Sequence, residues 1–244
     1  MSKRIYRNSF IALLFLMSTN LLGQTVFDSI QVVVGTIDGI SNIETADINE
    51  DGLPDILYAS TNDYNAKWYS NSESGVFNEE AISFIDGTLT VTTADINSNG
   101  HQDIIYGSTR NLSLYENDGA GNLSAPFTFE TVSGGSKMVA ANFFDDDNEP
   151  ELLVLDNGAR ELRIYDGISE GAVSETIISP QPIGYFDDIT ALEAADFNND
   201  GFLEIYLHFN NDFSMIPKEW KAQGIQSKRV ILDFKNNNLN CKDY

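Results

Sequence analysis

A short acidic motif recurs along this chain at nearly constant spacing, and this repeat limits the possible folds more than any other feature. The two clearest copies, Thr45–Ile56 and Thr93–Ile104, are offset by 48 residues. A third copy is Ala195–Ile205, and a degenerate copy, Ala141–Leu152, is one residue longer and lacks the glycine. Repeats of a few tens of residues are typical of arrays and propellers, in which each repeat is one supersecondary unit.

Each repeat shows the same order of β-strand signals. A short strand leads into the acidic loop, and an apolar run follows the loop, as at Asp55–Ala59 and Glu204–Phe209. A third strand carries aromatic residues such as Trp68 and Tyr115, which we interpret as core residues. Turn residues separate the strands, and no helical period is sustained. The sequence therefore predicts an all-β fold, a β-propeller or partial propeller of about four four-stranded blades.

The repeats are predicted to begin near residues 41, 89, 136 and 188. Their fourth strands are predicted at Ala81–Ile85, Phe127–Val132, Glu175–Ile178 and, after a poorly patterned stretch around Pro217, Val230–Phe234. Ser29–Val34 has the pattern of one further strand, which could complete the last blade or belong to an incomplete one.

The first 24 residues have the layout of a secretory signal peptide. Lys3, Arg4 and Arg7 precede the apolar run Phe10–Met17, and small and polar residues follow it. As a helix this run spans roughly 12 Å, far less than the ~30 Å of a membrane core, so no transmembrane anchor is predicted. We expect cleavage near Gln24 without lipidation, which leaves residues 25–244 as one repeat domain outside the cytoplasm.

The charge limits the possible binding partners, and the cysteine content limits the possible cross-links. The chain has 37 acidic and 14 basic residues and a net charge of −23, which repels nucleic acid and anionic membranes. Cys241 is the single cysteine, so no disulfide can form within the chain. Since the acidic residues cluster in the loops, we expect bound metal to stabilise the fold in place of a disulfide.

The loops carry oxygen donors in the order that a Ca²⁺ site requires. If the first Asp is position 1, positions 1, 3, 5 and 9 hold Asp, Asn or Glu, and the backbone carbonyl of position 7 can point inward. Glycine at position 6 permits the positive φ that turns the chain back. Hard oxygen donors favour Ca²⁺ over Zn²⁺ or Cu²⁺. The alternative is that these are only Asx turns between strands.

The predicted metal ligands are Asp47, Asn49, Asp51, Leu53 and Asp55 in the first loop, Asp95, Asn97, Asn99, His101 and Asp103 in the second, and Asp196, Asn198, Asp200, Phe202 and Glu204 in the third, with Leu53, His101 and Phe202 acting through their carbonyls. The degenerate loop offers Asp145, Asp147 and Glu151, but its turn lacks glycine. The closing acid at position 9 and the absence of flanking helical patterns exclude an EF-hand.

These loops, together with the trailing segment Asn117–Pro126, resemble the FG-GAP/VCBS repeats, which are related to the β-propeller of integrin α subunits. The resemblance covers roughly residues 40 to 235 and implies that each loop joins the first two strands of a blade and binds Ca²⁺. Family propellers often have seven blades, so a compact ring, an open fragment and one part of an oligomeric ring all stay open. A signal sequence before such repeats also resembles exported and envelope proteins of bacteria, in particular of the Bacteroidota.

The expected function is a secreted or cell-envelope module that binds a protein or glycan, contributes to adhesion and has no enzymatic activity. His101 and His208 are the only histidines, and no nucleophile elbow or phosphate-binding glycine loop is present. The alternatives are a propeller domain of an extracellular polysaccharide-active enzyme, which would use paired carboxylates from different blades, and a truncated piece of a longer adhesin.

Overall fold

The structure is a computed structural model that describes residues 38–63, 65–72, 76–80, 82, 87–132, 135–143, 149–156, 158–159, 161–169, 171–178, 189–197, 199, 203–209, 229–233 and 240–243. The predicted signal peptide and the predicted strand Ser29–Val34 lie outside this set. None of the described residues forms a helix, so none forms one that could cross a membrane.

Within the described ranges, sixteen strands form four antiparallel sheets of four strands each. The strands are β1 (Ile40–Ala46), β2 (Asp55–Ser60), β3 (Asn65–Asn71), β4 (Phe77–Glu80), β5 (Thr88–Ala94), β6 (Asp103–Ser108), β7 (Asn111–Tyr115), β8 (Phe127–Thr131), β9 (Gly135–Ala141), β10 (Glu151–Asp156), β11 (Glu161–Asp166), β12 (Ser174–Ile177), β13 (Ile189–Ala195), β14 (Glu204–Phe209), β15 (Arg229–Asp233) and β16 (Asn240–Asp243). In each sheet, strands that are consecutive in sequence are hydrogen-bonded neighbours. We call the sheets blades 1 to 4 in chain order, and they confirm the predicted all-β fold of about four four-stranded blades.

The strands differ in burial according to their place in the blade. Every residue of β6 and of β10 is buried, because both faces of a second strand are covered by neighbouring blades. The fourth strand β12 is exposed along its whole length, as the outer edge of a blade should be. The continuous apolar runs after each acidic loop therefore mark the middle of the blades, as the sequence indicates.

Two strand predictions were wrong. The fourth strand of blade 1 is Phe77–Glu80, four residues before the predicted start at Ala81. In blade 4, the segment predicted as a fourth strand is the third strand β15, which pairs with β14, and β16 is the fourth. Both errors concern segments near a blade edge, where the apolar pattern that locates inner strands is weak.

The hydrophobic core lies between blades rather than within one sheet. Three buried clusters occupy the three interfaces between consecutive blades. Trp68 and Tyr115 belong to the cluster between blades 1 and 2, and Tyr165 belongs to the one between blades 2 and 3. The interpretation of the third-strand aromatic residues as core is thus confirmed.

Candidate functional site

The acidic loops lie between the first and second strands of their blades, and the described parts of three of them share an unusual backbone turn. Position 4 has positive φ in three loops although it is never glycine: φ is 55° at Glu50, 52° at Ser98 and 58° at Asn199. Position 6 is also left-handed, with φ of 86° at Gly52 and 91° at Gly100. Two left-handed residues so close together fold the loop back on itself. At position 6 the residue is glycine, which adopts positive φ without a steric penalty.

In the first loop, the side chains at positions 1, 3 and 5 turn inward and accept backbone hydrogen bonds. The two carboxylate oxygens of Asp47 accept from the N–H of Asp51 at 3.1 Å and of Gly52 at 2.9 Å. Asn49 Oδ1 accepts from the same Asp51 N–H at 3.2 Å, and Asp51 Oδ1 accepts from the N–H of Leu53 at 2.9 Å. These oxygens therefore gather along one short stretch of backbone.

The second loop repeats this pattern. Asp95 accepts from the N–H of Asn99 and of Gly100, both at 2.9 Å. Asn97 Oδ1 accepts from Asn99 N–H at 3.1 Å, and Asn99 Oδ1 accepts from His101 N–H at 2.8 Å. The two loops thus share one internal hydrogen-bond network although they differ at position 5.

The donor chemistry of these loops fits Ca²⁺, but the carboxylates are not gathered into a chelating group. All side-chain donors are oxygen, and the Asp47 and Asp95 carboxylates each use two of about four acceptor sites, which leaves sites for a cation. Within the described part of the chain, no three His, Cys, Asp or Glu side chains lie together as a metal site. In the first loop, Asp55 is engaged by three hydrogen bonds from groups of its own blade.

The carboxylate at position 9 is a buried hydrogen-bond acceptor that fastens the loop to its blade. Asp55 accepts from Ile48 N–H at 3.2 Å, from Trp68 Nε1–H at 3.1 Å and from Asn71 N–H at 2.8 Å. Asp103 accepts from Ile96 N–H at 3.1 Å.

The same bond occurs in the other two blades. Glu151 accepts from Phe143 N–H at 2.6 Å, and Glu204 accepts from Phe197 N–H at 2.8 Å. In all four blades the first residue of the second strand therefore binds the residue after the first loop position. We call this bond the loop latch.

Burial raises the pKa of the latch carboxylates in blades 1 and 2. It raises the pKa of Asp103 to about 6, although the N–H groups of Asn117 and Ile96 act in the opposite direction. Burial likewise raises the pKa of Asp55, again against the hydrogen bonds that it accepts. The charged carboxylate is therefore held in a poorly solvated place by the donors that face it.

The first two loops also touch each other across the interface between blades 1 and 2. Asn117, which is buried at the end of the third strand of blade 2, donates from Nδ2 to the carbonyl oxygen of Ile48 at 2.7 Å. His101 contacts the carboxylate of Glu50, and this contact raises the pKa of His101. At Gly121 a Cβ would lie 2.8 Å from the Trp68 ring, so the turn after Asn117 packs closely on blade 1.

A second candidate site is a cavity of about 360 Å³ lined by the first strands of all four blades. Its charged lining residues are Glu44 on β1, Lys137 on β9 and Glu193 on β13, and threonines of β5 add hydroxyl groups. Burial raises the pKa of Glu44, and the nearby charge of Glu193 adds to this shift. The cavity thus brings together two carboxylates that are far apart in sequence.

Comparison with protein families identifies the repeats. The model of the FG-GAP-like repeat matches residues 47–106 and 144–207, which together make up more than half of the chain. The chain belongs to the FG-GAP repeat family. FG-GAP propeller domains are typically extracellular binding modules without enzymatic activity. A comparison with curated proteins found no match.

Solved structures show the same propeller-like fold for this FG-GAP chain. An Agrocybe aegerita lectin that specifically recognises non-reducing terminal N-acetylglucosamine is 13% identical with a TM-score of 0.54, over 82% of this chain and 52% of the lectin. BBS1N, solved in complex with ARL6DN, is 11% identical with a TM-score of 0.55, over 89% of this chain and 61% of its own. The FG-GAP chain therefore spans roughly half the length of these structural neighbours.

The third and degenerate loops are described only in part. Asp196 is exposed and Glu204 is buried, whereas Asn198, Asp200 and Phe202 lie outside the described residues. The same holds for Asp145 and Asp147, whereas Glu151 is a buried latch residue. Metal binding by all the predicted ligands stays a prediction.

Sequence reasoning missed the latch and the role of Asn117. A signal for the latch was present, because the degenerate repeat has lost its glycine but keeps an acid, Glu151, at the start of its second strand. Because Glu151 is present although the glycine turn is absent, this acid indicates a role other than metal binding. The segment that begins at Asn117 belongs to the family pattern, but the sequence does not indicate its partner, because Ile48 is 69 residues away.

Proposed function

We propose that this FG-GAP protein is an exported, non-enzymatic binding module whose blades are stabilised by Ca²⁺ and whose ligand is a protein or a glycan. The observation that carries the proposal is the shared hydrogen-bond network of the first two loops. Although the loops differ at position 5, both turn the oxygen atoms at positions 1, 3 and 5 toward one short stretch of backbone, and Asp47 and Asp95 each keep acceptor sites for a cation.

In the proposed state the ligands of the first loop are Asp47, Asn49, Asp51 and the carbonyl of Leu53, and the equivalent residues serve in the second loop. Asp55 and Asp103 would contribute acceptor sites that the latch leaves free. Bound Ca²⁺ supplies a positive charge that offsets the repulsion among the loop acids. A cation that binds only the folded loops stabilises the fold by roughly 2.7 kcal/mol per site at 100 times its Kd.

The position of the loops explains why such a cation would matter for binding. The first two loops meet through Asn117 and through the contact of His101 with Glu50, so an ion in either loop also tightens the interface between blades 1 and 2. A ligand that binds across this loop edge would meet a more rigid surface. Export places the protein where Ca²⁺ is abundant, and the basic-then-apolar start of the chain supports export.

Calorimetric titration of the purified protein with Ca²⁺ tests the metal claim. We expect heat of binding that falls in the Asp47→Ala variant, falls in Asp95→Ala, and is unchanged in Glu116→Ala, an exposed acid outside the loops. Mg²⁺ should bind more weakly, because it demands a tighter octahedron. Absence of binding heat, or equal heat in all variants, would reject the calcium sites.

Export and ligand class need their own measurements. Mass spectrometry of the chain secreted by an expressing bacterium should show a new N-terminus near Gln24, and an uncleaved chain in the cytoplasm would reject export. A glycan array probed with the labelled protein in millimolar Ca²⁺ separates the two ligand classes. Specific glycan signals support a lectin, whereas a blank array leaves a protein ligand.

The cavity lined by the first strands favours a second candidate function, an acid–base enzyme acting on polysaccharides. Glycoside hydrolysis uses two carboxyl groups, one of them with a raised pKa, and the cavity is lined by Glu193 and by Glu44, whose pKa burial raises. Release of reducing sugars from a polysaccharide panel should then be lost in Glu44→Gln and Glu193→Gln but kept in Glu116→Gln. If the unaltered protein releases no sugar, this candidate is rejected.

A further inference from the structure

The three interfaces between blades are built from the same two structural positions. One is the residue after the first loop position, which donates its N–H to the latch acid of its own blade. The other is the first-strand residue of the next blade that pairs with the fourth residue of its second strand. We call them the loop plug and the strand socket.

Each interface buries one plug with one socket in the same hydrophobic cluster. The pairs are Ile48 with Val91, Ile96 with Met138, and Phe143 with Leu192. All six side chains are at most 8% exposed. Plug and socket together are therefore the repeating contact that joins one blade to the next.

Four blades form three interfaces, and this leaves one socket and one plug over. The unused socket is Ile43 of blade 1, which pairs with Tyr58 and is 55% exposed. The unused plug is Phe197 of blade 4, which is 53% exposed. Both are open, so among the described residues blade 4 does not cover Ile43 and blade 1 does not cover Phe197. The two ends are complementary halves of an interface that the molecule builds three times elsewhere.

The socket end is apolar beyond Ile43. Ile40 is 44% exposed, whereas its register equivalents Thr88 and Ile189 are buried. Unpartnered apolar surface of this kind usually marks a protein interface. An exposed half-interface on each end calls for a partner that presents the opposite half, and the chain itself presents both.

We propose that a second copy of this chain covers both ends, with Phe197 of each copy packed against Ile43 of the other in a closed ring of eight blades. Such a head-to-tail contact closes when the rotation between copies completes the circle. Propellers of four to eight blades are known, so eight is within range. Both structural neighbours are longer than one chain, which spans 52% and 61% of them.

Sedimentation velocity over a range of protein concentrations tests the ring. In about 0.15 M salt, which screens the repulsion between two acidic chains, we expect twice the mass of a single chain. Ile43→Asp and Phe197→Asp should each shift the protein to monomer. Since each change places charge in both interfaces, the dissociation constant should rise about 100-fold, roughly tenfold per interface. The matched control is Ile177→Asp, which alters an equally exposed residue on the outer strand of blade 3 and should leave the dimer unchanged.

A mixture of the two variants gives the decisive comparison. Phe197 of the Ile43→Asp chain can still meet Ile43 of the Phe197→Asp chain, so the mixture should form a heterodimer with one intact interface although neither variant dimerises alone. A monomeric unaltered protein, a dimer that survives both variants, or a mixture that stays monomeric would overturn the proposal. So would a mass that keeps growing with concentration, which would indicate an open chain of copies. Because both side chains are exposed in one copy, the variants should fold, and their thermal unfolding provides the check.

Discussion

Replacement of Asp55 by alanine should destabilise the protein even when no metal is bound. The change removes the acceptor of three N–H donors, those of Ile48, Asn71 and the Trp68 ring. A buried donor left without a partner costs about 1–3 kcal/mol, and Ile48 and Trp68 are buried, whereas Asn71 is half-buried. Two buried donors thus give about 2–6 kcal/mol, which the removal of a poorly solvated carboxylate offsets in part.

We therefore expect a loss of about 3 kcal/mol, or a fall in Tm of roughly 6–12 °C for a chain of this size. The assay is thermal unfolding followed by circular dichroism in excess chelator, which separates the latch from any metal role. The control is Asp51→Ala, an exposed acid of the same loop, which should cost only about 0.5 kcal/mol. If Asp55→Ala unfolds at the same temperature as the unaltered protein in chelator, the latch has no structural role and the reasoning fails.

Two further predictions follow from contacts in blades 1 and 2. Gly121→Ala should cost about 1–3 kcal/mol more than Gly171→Ala in thermal unfolding, because both glycines have positive φ but only at Gly121 does a Cβ meet the Trp68 ring; equal losses would refute the close packing. Hydrogen bonds from Lys67 and Tyr69 hold the pKa of Glu79 below its usual value. That stability is present above the usual glutamate pKa and is lost as pH falls through the lowered one. Glu79→Gln should therefore lower Tm more at pH 7 than at pH 3, and an equal loss at both pH values would contradict this reasoning.

The fold could be predicted from the sequence because the repeat carries redundant information. Four copies of a loop followed by an apolar run locate β2, β6, β10 and β14, and these strands form where the runs indicate. Third-strand aromatic residues such as Trp68 and Tyr115 are buried as expected. Inner strands are recognisable because both of their faces are covered, which requires an unbroken apolar run.

The outer strands carry a weaker sequence pattern, because a strand at the edge of a blade does not require an unbroken apolar run. The strand Phe77–Glu80 is exposed or half-buried throughout and ends in two acids, so no apolar pattern marks it, and the nearby stretch Ala81–Ile85 has the stronger strand pattern. In blade 4, a long segment separates β14 from β15. Because of this spacing, the sequence pattern assigns β15 as the fourth strand, although it is the third.

The candidate site was only partly predictable, because its contacts cross the repeat. Alternating Asp and Asn residues predict the inward side chains at positions 1, 3 and 5, which the first two loops show. The same alternation predicts that Asp55 is a metal ligand. In the structure, however, Asp55 is the first residue of β2, and its carboxylate turns toward N–H groups of its own blade. The meeting of Glu44 with Glu193 depends on how blades are arranged, which a single repeat does not encode.

Thermal unfolding of the purified protein in millimolar Ca²⁺ and in excess chelator tests the central claim most directly, with Asp47→Ala, Asp95→Ala and the double variant measured beside it. One site occupied at 100 times its Kd gives about 2.7 kcal/mol, so Ca²⁺ should raise Tm by roughly 5–10 °C per site. Each single variant should lose part of this rise and the double variant nearly all of it. Equal Tm with and without Ca²⁺, or a rise that the double variant keeps in full, would contradict the account.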